Sequence, residues 1–148
     1  MQQTLILLKP DAVQRRLVGE ITARFERKGL RLAALKLIKA PREMAEKHYA
    51  VHKGKPFYES LLTFLTSGPT VAMVWEGREA VAVCRTLMGA TDGAKSPGGT
   101  IRGDFALSVQ NNLVHGSDSA ENAALEIALW FTPAELVSYT TTDATWVG

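Results

Sequence analysis

Residues 112–119 read NLVHGSDS, in which an apolar pair is followed by a polar stretch. This pattern predicts the end of a strand followed by the start of another element. Leu113 and Val114 are typical of a short buried strand. They deliver His115, and Gly116 follows at once, so little side-chain bulk stands beside the imidazole. The stretch therefore predicts a histidine at the end of a strand, in a small and open site.

A helix is predicted to begin directly after this histidine. Asp118 and Glu121 have the spacing of a capping box, and the alanine- and leucine-rich run 118–131 continues from them. A helix N-terminus offers free N–H groups and a positive dipole end, which favour phosphate. A neutral imidazole is a competent nucleophile near neutral pH. The combination suggests that His115 accepts a phosphoryl group, although on spacing alone a hydrogen-bonded structural histidine is the commoner case.

Composition limits the class of protein. The chain has 148 residues, 46% of them hydrophobic and 22% charged, which is ordinary for one globular domain. A net charge of +2 is too small to indicate nucleic acid as a partner. Residues 1–8 lead into Lys9 without a signal-peptide layout, no apolar run is long enough for a membrane, and Cys84 is the single cysteine. We therefore expect a cytoplasmic protein without a membrane partner.

The hydrophobic pattern alternates short apolar runs with amphipathic segments. Strands are predicted at 4–8, 30–38, 71–75 and 113–116, and helices at 18–28, 40–52, 57–65, 79–88 and 118–131. This order predicts an α+β fold, a ferredoxin-like α/β sandwich with a four-stranded antiparallel sheet and helices packed on it. The run 30–38 is apolar on both faces, so we expect it to meet a second subunit.

Two segments are harder to assign. The glycine-rich segment 89–102 is predicted to be irregular and functional or mobile, whereas 105–109 looks more ordered. Gly93-Ala94-Lys95-Ser96 approaches a phosphate-binding P-loop ending, but the spacing and context are wrong for one. The tail 134–148 is expected to wrap the surface, anchored by Trp146.

Lys9-Pro10-Asp11, the run GTIRGDF at 99–105 and NLVHGSDS together resemble the nucleoside diphosphate kinase family. The resemblance covers essentially all of the chain and implies one such domain over residues 1–148. It implies that a nucleoside triphosphate gives its γ-phosphoryl group to His115 and that a nucleoside diphosphate then takes it, in a ping-pong reaction. The alternative from another class is a ferredoxin-like module that binds nucleotides without transfer. Binding of single-stranded nucleic acid is a weaker third idea, given the small charge excess and few aromatic residues.

The resemblance also implies which residues form the site. Nδ1 of His115 is the expected nucleophile, Glu126 orients the ring, Ser117 lies against His115, and Tyr49 assists Lys9. The residues implied for nucleotide binding are Lys9, His48, Phe57, Leu61, Arg85, Thr91, Arg102, Val109 and Asn112. Taken singly, the charged residues are more often solvated surface groups, and the apolar ones core.

The resemblance implies that different side chains of this set contact the base, the sugar and the phosphates. Phe57 is expected to stack on the base, and Asn112 to contact the sugar hydroxyls. Arg102 is expected to hold phosphate bidentately. Mg²⁺ is implied as a cofactor bound mainly through the nucleotide phosphates, without a dedicated protein metal site. The family forms tetramers or hexamers built from dimers, so a homo-oligomer is expected.

Overall fold

The computed structural model of the chain describes residues Met1–Gly148. Its four strands are β1 (Gln2–Leu8), β2 (Arg31–Ile38), β3 (Thr70–Gly77) and β4 (Val114–Gly116). Its helices are α1 (Pro10–Gln14), α2 (Val18–Arg27), α3 (Arg42–His48), α4 (Tyr58–Leu65), α5 (Ala80–Met88), α6 (Ile101–Phe105), α7 (Ala120–Trp130) and α8 (Ala144–Val147). Short 3-10 turns cover Ala50–His52, Gly93–Lys95 and Pro133–Glu135.

The strands form one antiparallel sheet in the order β2-β3-β1-β4. β1 and β3 are the central strands and are apolar on both faces, because helices cover the sheet on each side. The order and directions confirm the predicted ferredoxin-like α+β sandwich. β4 is a short edge strand whose His115 stands opposite Leu7 of β1.

The alternation of side chains along β1 divides the core into two layers. Ile6 and Leu8 pack with residues of α2 and α5 on one face of the sheet. Leu5 and Leu7 pack on the other face with residues of α4 and α7. Since side chains alternate along a strand, His115 opposite Leu7 points toward the second layer, where α7 and α3 lie.

Two local predictions are wrong. The segment 89–102 is not irregular to its end, because α6 begins at Ile101, with the Thr100 hydroxyl accepting from the Gly103 N–H. The segment 105–109 is less regular than predicted, since α6 ends at Phe105 and no further helix or strand follows before β4. Arg102 therefore projects from a short helix rather than a loop.

The start of α7 also differs from the predicted capping box. The Ser119 hydroxyl accepts from the Asn122 N–H at 3.1 Å and caps the helix, while Asp118 accepts from the Asn122 side chain at 2.6 Å. Serine is as good a cap as aspartate, so the sequence rule allowed either residue. The cap stands one residue later than predicted.

The tail follows the surface as predicted, but Trp146 does not anchor it. The indole is 89% exposed. The tail is instead held to β2, where the Val137 N–H donates to the Ala33 carbonyl at 2.9 Å and the Tyr139 hydroxyl to the Leu32 carbonyl at 2.6 Å. Hydrogen bonds from the backbone of Val137 and the hydroxyl of Tyr139 therefore anchor the tail, whereas Trp146 does not.

None of the helices combines the length and the apolarity that crossing a membrane requires.

Candidate active site

His115 is held by the helix that follows it. Its Nε2 lies 3.0 Å from a carboxylate oxygen of Glu126, two turns along α7. The Ser117 hydroxyl donates to the same oxygen at 2.7 Å, and that hydroxyl accepts from the Leu5 N–H at 3.2 Å. Because a carboxylate can only accept, this arrangement assigns the imidazole proton to Nε2 and leaves a lone pair on Nδ1.

Glu126 is ionised in this setting. Burial raises the pKa of its carboxyl group, but the hydrogen bonds from His115 and Ser117 and the electrostatic influence of His115 outweigh burial, and the pKa lies below its usual value. The side chains of His115 and Glu126 are 24% and 19% exposed. The pair is therefore shielded from bulk water, and a ligand can still reach it.

Gly116 is needed beside the histidine for close packing. A β-carbon at this position would lie 2.6 Å from the sulfur of Met88 and 3.1 Å from a methyl group of Ile6. A larger residue would have to displace the thioether of Met88 and the terminal methyl group of Ile6. The predicted lack of bulk next to the imidazole thus has a packing cause.

The residues before β4 form a strained turn. Leu113 has φ of 72°, in the left-handed region that non-glycine residues avoid, and the Val114 N–H donates to the Asn112 carbonyl at 2.8 Å. The Asp11 carboxylate accepts from the Leu113 N–H at 3.0 Å, and the Lys9 N–H donates to the Leu113 carbonyl at 2.8 Å. Contacts from the start of the chain therefore hold the turn in place.

Arg102 braces the same turn. Its guanidinium donates to the carbonyls of Asn112 at 3.2 Å, Val114 at 2.8 Å and Gly89 at 3.1 Å. The residue is only 6% exposed, and burial together with the charge of Arg85 lowers its pKa to about 10. Arg102 therefore mainly stabilises the turn. One N–H on each terminal nitrogen stays unpaired and can donate to a ligand.

Lys9 is a buried cation beside this turn. Its ammonium group donates to the side-chain oxygen of Asn112 and lies 5.4 Å from the centre of the Phe64 ring. Burial lowers the pKa of Lys9 to about 8, with Asp11 opposing the shift and the charge of Arg102 adding to it. At neutral pH most of the Lys9 amine is therefore protonated, and the protonated fraction falls as the pH rises through about 8.

A cleft of about 420 Å³ opens in front of His115. The predicted residues that line it are Lys9, Tyr49, Phe57, Leu61, Arg85, Thr91, Arg102, Val109, Asn112 and His115. Phe57 and Val109 are 45% and 57% exposed, so apolar surface is left uncovered in the cleft. Its size suits a small organic ligand. The structure thus brings together most of the predicted site.

The remaining predicted residues lie around the cleft rather than in it. His48 and Glu126 border an adjoining cavity of about 560 Å³, which shares His115 with the first. Ser117 is fully buried beneath the histidine. The Tyr49 hydroxyl makes no hydrogen bond with Lys9, although both line the cleft.

Comparison with known proteins agrees with this geometry. The family model described as nucleoside diphosphate kinase matches residues 2–136. A nucleoside diphosphate kinase from Carboxydothermus hydrogenoformans is 57% identical over 147 residues, which is 99% of either chain. One from Thermomicrobium roseum is 56% identical over the same share of both chains.

This chain belongs to the nucleoside diphosphate kinase family. It is accordingly a phosphotransferase that acts on nucleotides. Among solved structures, a family member from Babesia bovis superposes with a TM-score of 0.97 at 47% identity over all of both chains. A halophilic nucleoside diphosphate kinase from Halobacterium salinarum in complex with CDP has a TM-score of 0.97 at 45% identity, covering 99% of this chain and 98% of its own.

One group of side chains in this nucleoside diphosphate kinase could approach a metal ion. Ligand atoms of His48, His115 and Glu126 lie within 4.8 Å of one another. Two imidazoles and a carboxylate suit a transition metal, whereas Mg²⁺ prefers oxygen ligands and retains water. This cluster therefore does not fit Mg²⁺.

Two further residues lie next to the predicted site residues and are not indicated by the sequence pattern. His52 lines the cleft, with its ring centre 5.2 Å from that of Phe57. Trp130 donates its indole N–H to Nδ1 of His48 at 3.2 Å. Both follow a predicted site residue by four positions, His52 after His48 and Trp130 after Glu126. On a helix this spacing places two side chains on one face, and this applies to Glu126 and Trp130 on α7. It does not apply to His52, because α3 ends at His48 and His52 lies in the 3-10 turn that follows.

Proposed function

We propose that the protein transfers the γ-phosphoryl group of a nucleoside triphosphate to a nucleoside diphosphate through a phosphohistidine at His115. The observation that carries this proposal is the 3.0 Å contact between Nε2 of His115 and Glu126, at the side of a cleft that also contains Lys9 and Arg85. A module that only binds nucleotides does not require an imidazole oriented in this way. The non-catalytic alternative is therefore not favoured.

In the first step, the lone pair on Nδ1 of His115 attacks the γ-phosphorus. The new bond is N–P, and the bond between the γ-phosphorus and the bridging oxygen breaks, so the nucleoside diphosphate leaves with the electron pair. The ring keeps its proton on Nε2 and becomes positively charged, and the Glu126 carboxylate compensates that charge. In the second step, a terminal oxygen of another nucleoside diphosphate attacks phosphorus, the N–P bond breaks, and its electron pair returns to Nδ1, which restores the neutral ring.

Positive and polar groups in the cleft are proposed to hold the phosphates. Lys9, Arg85 and Thr91 line it, and Arg102 contributes the N–H groups that its backbone bonds leave unpaired. Because such groups are fixed before the ligand arrives, they can stabilise the charge on the transferred group at little reorganisation cost. Burial, together with nearby Glu126 and Asp11, raises the pKa of Tyr49 to about 12, so its hydroxyl remains a donor.

The exposed apolar residues of the cleft are proposed to bind the base. Phe57 offers a ring face, with Leu61 and Val109 as further apolar contacts. Stacking on a ring discriminates poorly among bases, so we expect a broad nucleotide range. The relative solved with CDP supports a nucleoside diphosphate in this cleft. One N–H of the Asn112 side-chain amide donates to the Thr91 carbonyl at 3.0 Å, and the other N–H is proposed to donate to a sugar hydroxyl.

The charge on Lys9 is expected to make activity depend on pH. Since its pKa is about 8, the ammonium group that attracts phosphate is present below that pH and is lost above it. We expect kcat/KM to fall about tenfold per pH unit above pH 8, as the charged fraction falls. Steady-state kinetics between pH 6 and 10 measure this, and Lys9→Met should give a low value without that decline.

Replacement of the exposed Lys39 by methionine serves as the control, because it removes a lysine outside the cleft. The variant should keep the wild-type pH profile. A decline above pH 8 that persists in Lys9→Met would assign the titration to another group.

Mg²⁺ is proposed to enter with the nucleotide. The residues of the cleft supply cations and amides rather than several carboxylates, so the phosphates themselves must be the main ligands of the ion. When bound, the ion would neutralise phosphate charge. Titration of the protein with Mg²⁺ alone should show no saturable site, whereas the same titration with ADP present should show tighter nucleotide binding.

A homo-oligomer built from dimers is proposed through the edge strand β2. Leu35 and Leu37 are 54% and 66% exposed on this strand, beyond Leu32 and Ala33, which hold the tail. Exposed apolar surface on an edge strand tends to pair with another chain. Light scattering of the wild type and of a Leu35→Lys, Leu37→Lys variant tests this. A monomeric wild type would contradict it.

We further propose that residues 1–148 act as one domain, which limited proteolysis tests. We also propose a cytoplasmic location, where the buried Cys84 would stay reduced, and cell fractionation tests this.

The central experiment is incubation with ATP labelled at the γ-phosphate. The protein should become labelled, and the label should be lost in acid but kept in alkali, as expected for an N–P bond. Addition of unlabelled GDP should then move the label to GTP. If GDP is phosphorylated without any labelled protein intermediate, the two-step mechanism is wrong; if neither product forms, the protein only binds nucleotide.

A further inference from the structure

Trp130 makes a specific polar contact at the end of α7. The residue is 1% exposed, and its indole N–H donates to Nδ1 of His48, the last residue of α3, at 3.2 Å. A ring nitrogen that accepts a hydrogen bond carries no proton. A neutral His48 must therefore keep its proton on Nε2, and the opposite tautomer would set two donors against each other.

His48 packs directly against the histidine of the active site. The ring centres of His48 and His115 are 4.5 Å apart with the planes at 77°, and those of His48 and Trp130 are 5.6 Å apart with the planes at 85°. His48 therefore connects Trp130 to His115 through a series of edge-to-face contacts. A change in the orientation of the His48 ring would therefore alter its packing against His115.

The surroundings of His48 also favour its neutral form. Burial, and then the electrostatic influence of the neighbouring His115, lower the pKa of His48 to about 3 in spite of the nearby Glu126. A cation here would repel the positive ring that forms when His115 takes a phosphoryl group. The site therefore requires a histidine at position 48 that is neutral and has a fixed orientation.

We propose that Trp130 is a positioning residue for phosphoryl transfer: its indole N–H holds His48 in the neutral Nε2–H tautomer that packs against His115. The inference rests on the proposed role of His115 as nucleophile. It changes the role of His48 from a phosphate ligand to a support for the reacting ring. The same tautomer disfavours a metal ion among His48, His115 and Glu126, since neither nitrogen of His48 has a free lone pair.

The chain contains a matched control for this idea. Trp75 is also buried, at 0% exposure, but its indole nitrogen has no hydrogen-bond partner. Trp130→Phe and Trp75→Phe both replace a buried indole by a smaller ring, and only the first removes a hydrogen bond. We expect Trp130→Phe to lower kcat about tenfold with KM changed less than about twofold, because misplacement of a reacting group slows chemistry more than binding. Trp75→Phe should keep wild-type kinetics.

The tautomer itself can be observed in the unmodified protein. Ring nitrogen-15 spectra should show His48 neutral, with a proton on Nε2 and none on Nδ1, from pH 6 to pH 8. In Trp130→Phe the spectra should show both tautomers. A protonated or Nδ1–H His48 in the wild type overturns the proposal, even if Trp130→Phe does not fold.

Equal kcat values for folded Trp130→Phe and Trp75→Phe would also overturn it. In that case the wild type would still carry an acid-labile phosphoryl group, and the role of His115 would stand. If the wild type forms no such intermediate, the proposed function itself fails, and the two failures are thus distinguishable.

Discussion

Replacement of His115 by alanine will abolish phosphoryl transfer and leave nucleotide binding nearly unchanged. The imidazole is the group that forms the N–P bond, and its removal leaves no nucleophile at that place, so we expect turnover to fall at least about 10⁴-fold. The groups proposed to bind the nucleotide, among them Lys9, Phe57 and Arg85, are untouched. Calorimetric titration with ADP should therefore give a dissociation constant within about threefold of the wild type.

The chain has three histidines, so the labelled one can be identified by substitution. His52→Ala is the sharpest control, because His52 lines the same cleft but has no carboxylate to orient it. This variant should still take up label from γ-labelled ATP. Loss of label in His52→Ala together with its retention in His115→Ala would exchange the roles of the two residues.

Much of the fold could be predicted because it follows from local pattern. The central strands are continuous apolar runs, and α2 shows regular helical spacing up to Gly29, so periodicity alone placed them within a few residues. The start of α7 was displaced by one residue because Asp118 and Ser119 are both good caps. The sequence predicts Trp146 as an anchor because a tryptophan is usually buried, and no local pattern reveals that its side chain projects into solvent.

Most of the residues that line the cleft could be predicted from the sequence, but their hydrogen bonds could not. NLVHGSDS located the histidine, yet nothing local indicates that Leu113 takes a positive φ, because the bonds that hold it come from Lys9 and Asp11 at the other end of the chain. The resemblance predicts that Arg102 binds phosphate, but three of its guanidinium N–H groups donate to backbone carbonyls instead. Long-range hydrogen bonds decide these details, and composition and spacing do not encode them.

Replacement of Glu126 by alanine is expected to cause the second largest loss. Without the carboxylate, the proton of His115 is free to move to Nδ1, which blocks the lone pair, and the positive ring of the intermediate loses its counter-charge. By analogy with the removal of one oxyanion-hole donor, which costs about 10²–10³-fold in kcat, we expect a fall of at least about 10²-fold with little change in KM. The Ser117 hydroxyl also loses its acceptor, at a cost of about 1–3 kcal/mol in stability.

Variants of Glu126 and of a neighbour separate charge from orientation. Glu126→Gln keeps an oxygen that can accept from Nε2 but removes the charge, so it should retain more activity than Glu126→Ala if orientation is the larger effect. Glu121→Ala removes an exposed carboxylate from the first turn of the same helix and should leave kcat unchanged. A well-folded Glu126→Ala enzyme with turnover within about twofold of the wild type would show that His115 needs no orienting partner, and its tautomer would then have to be set by the ligand.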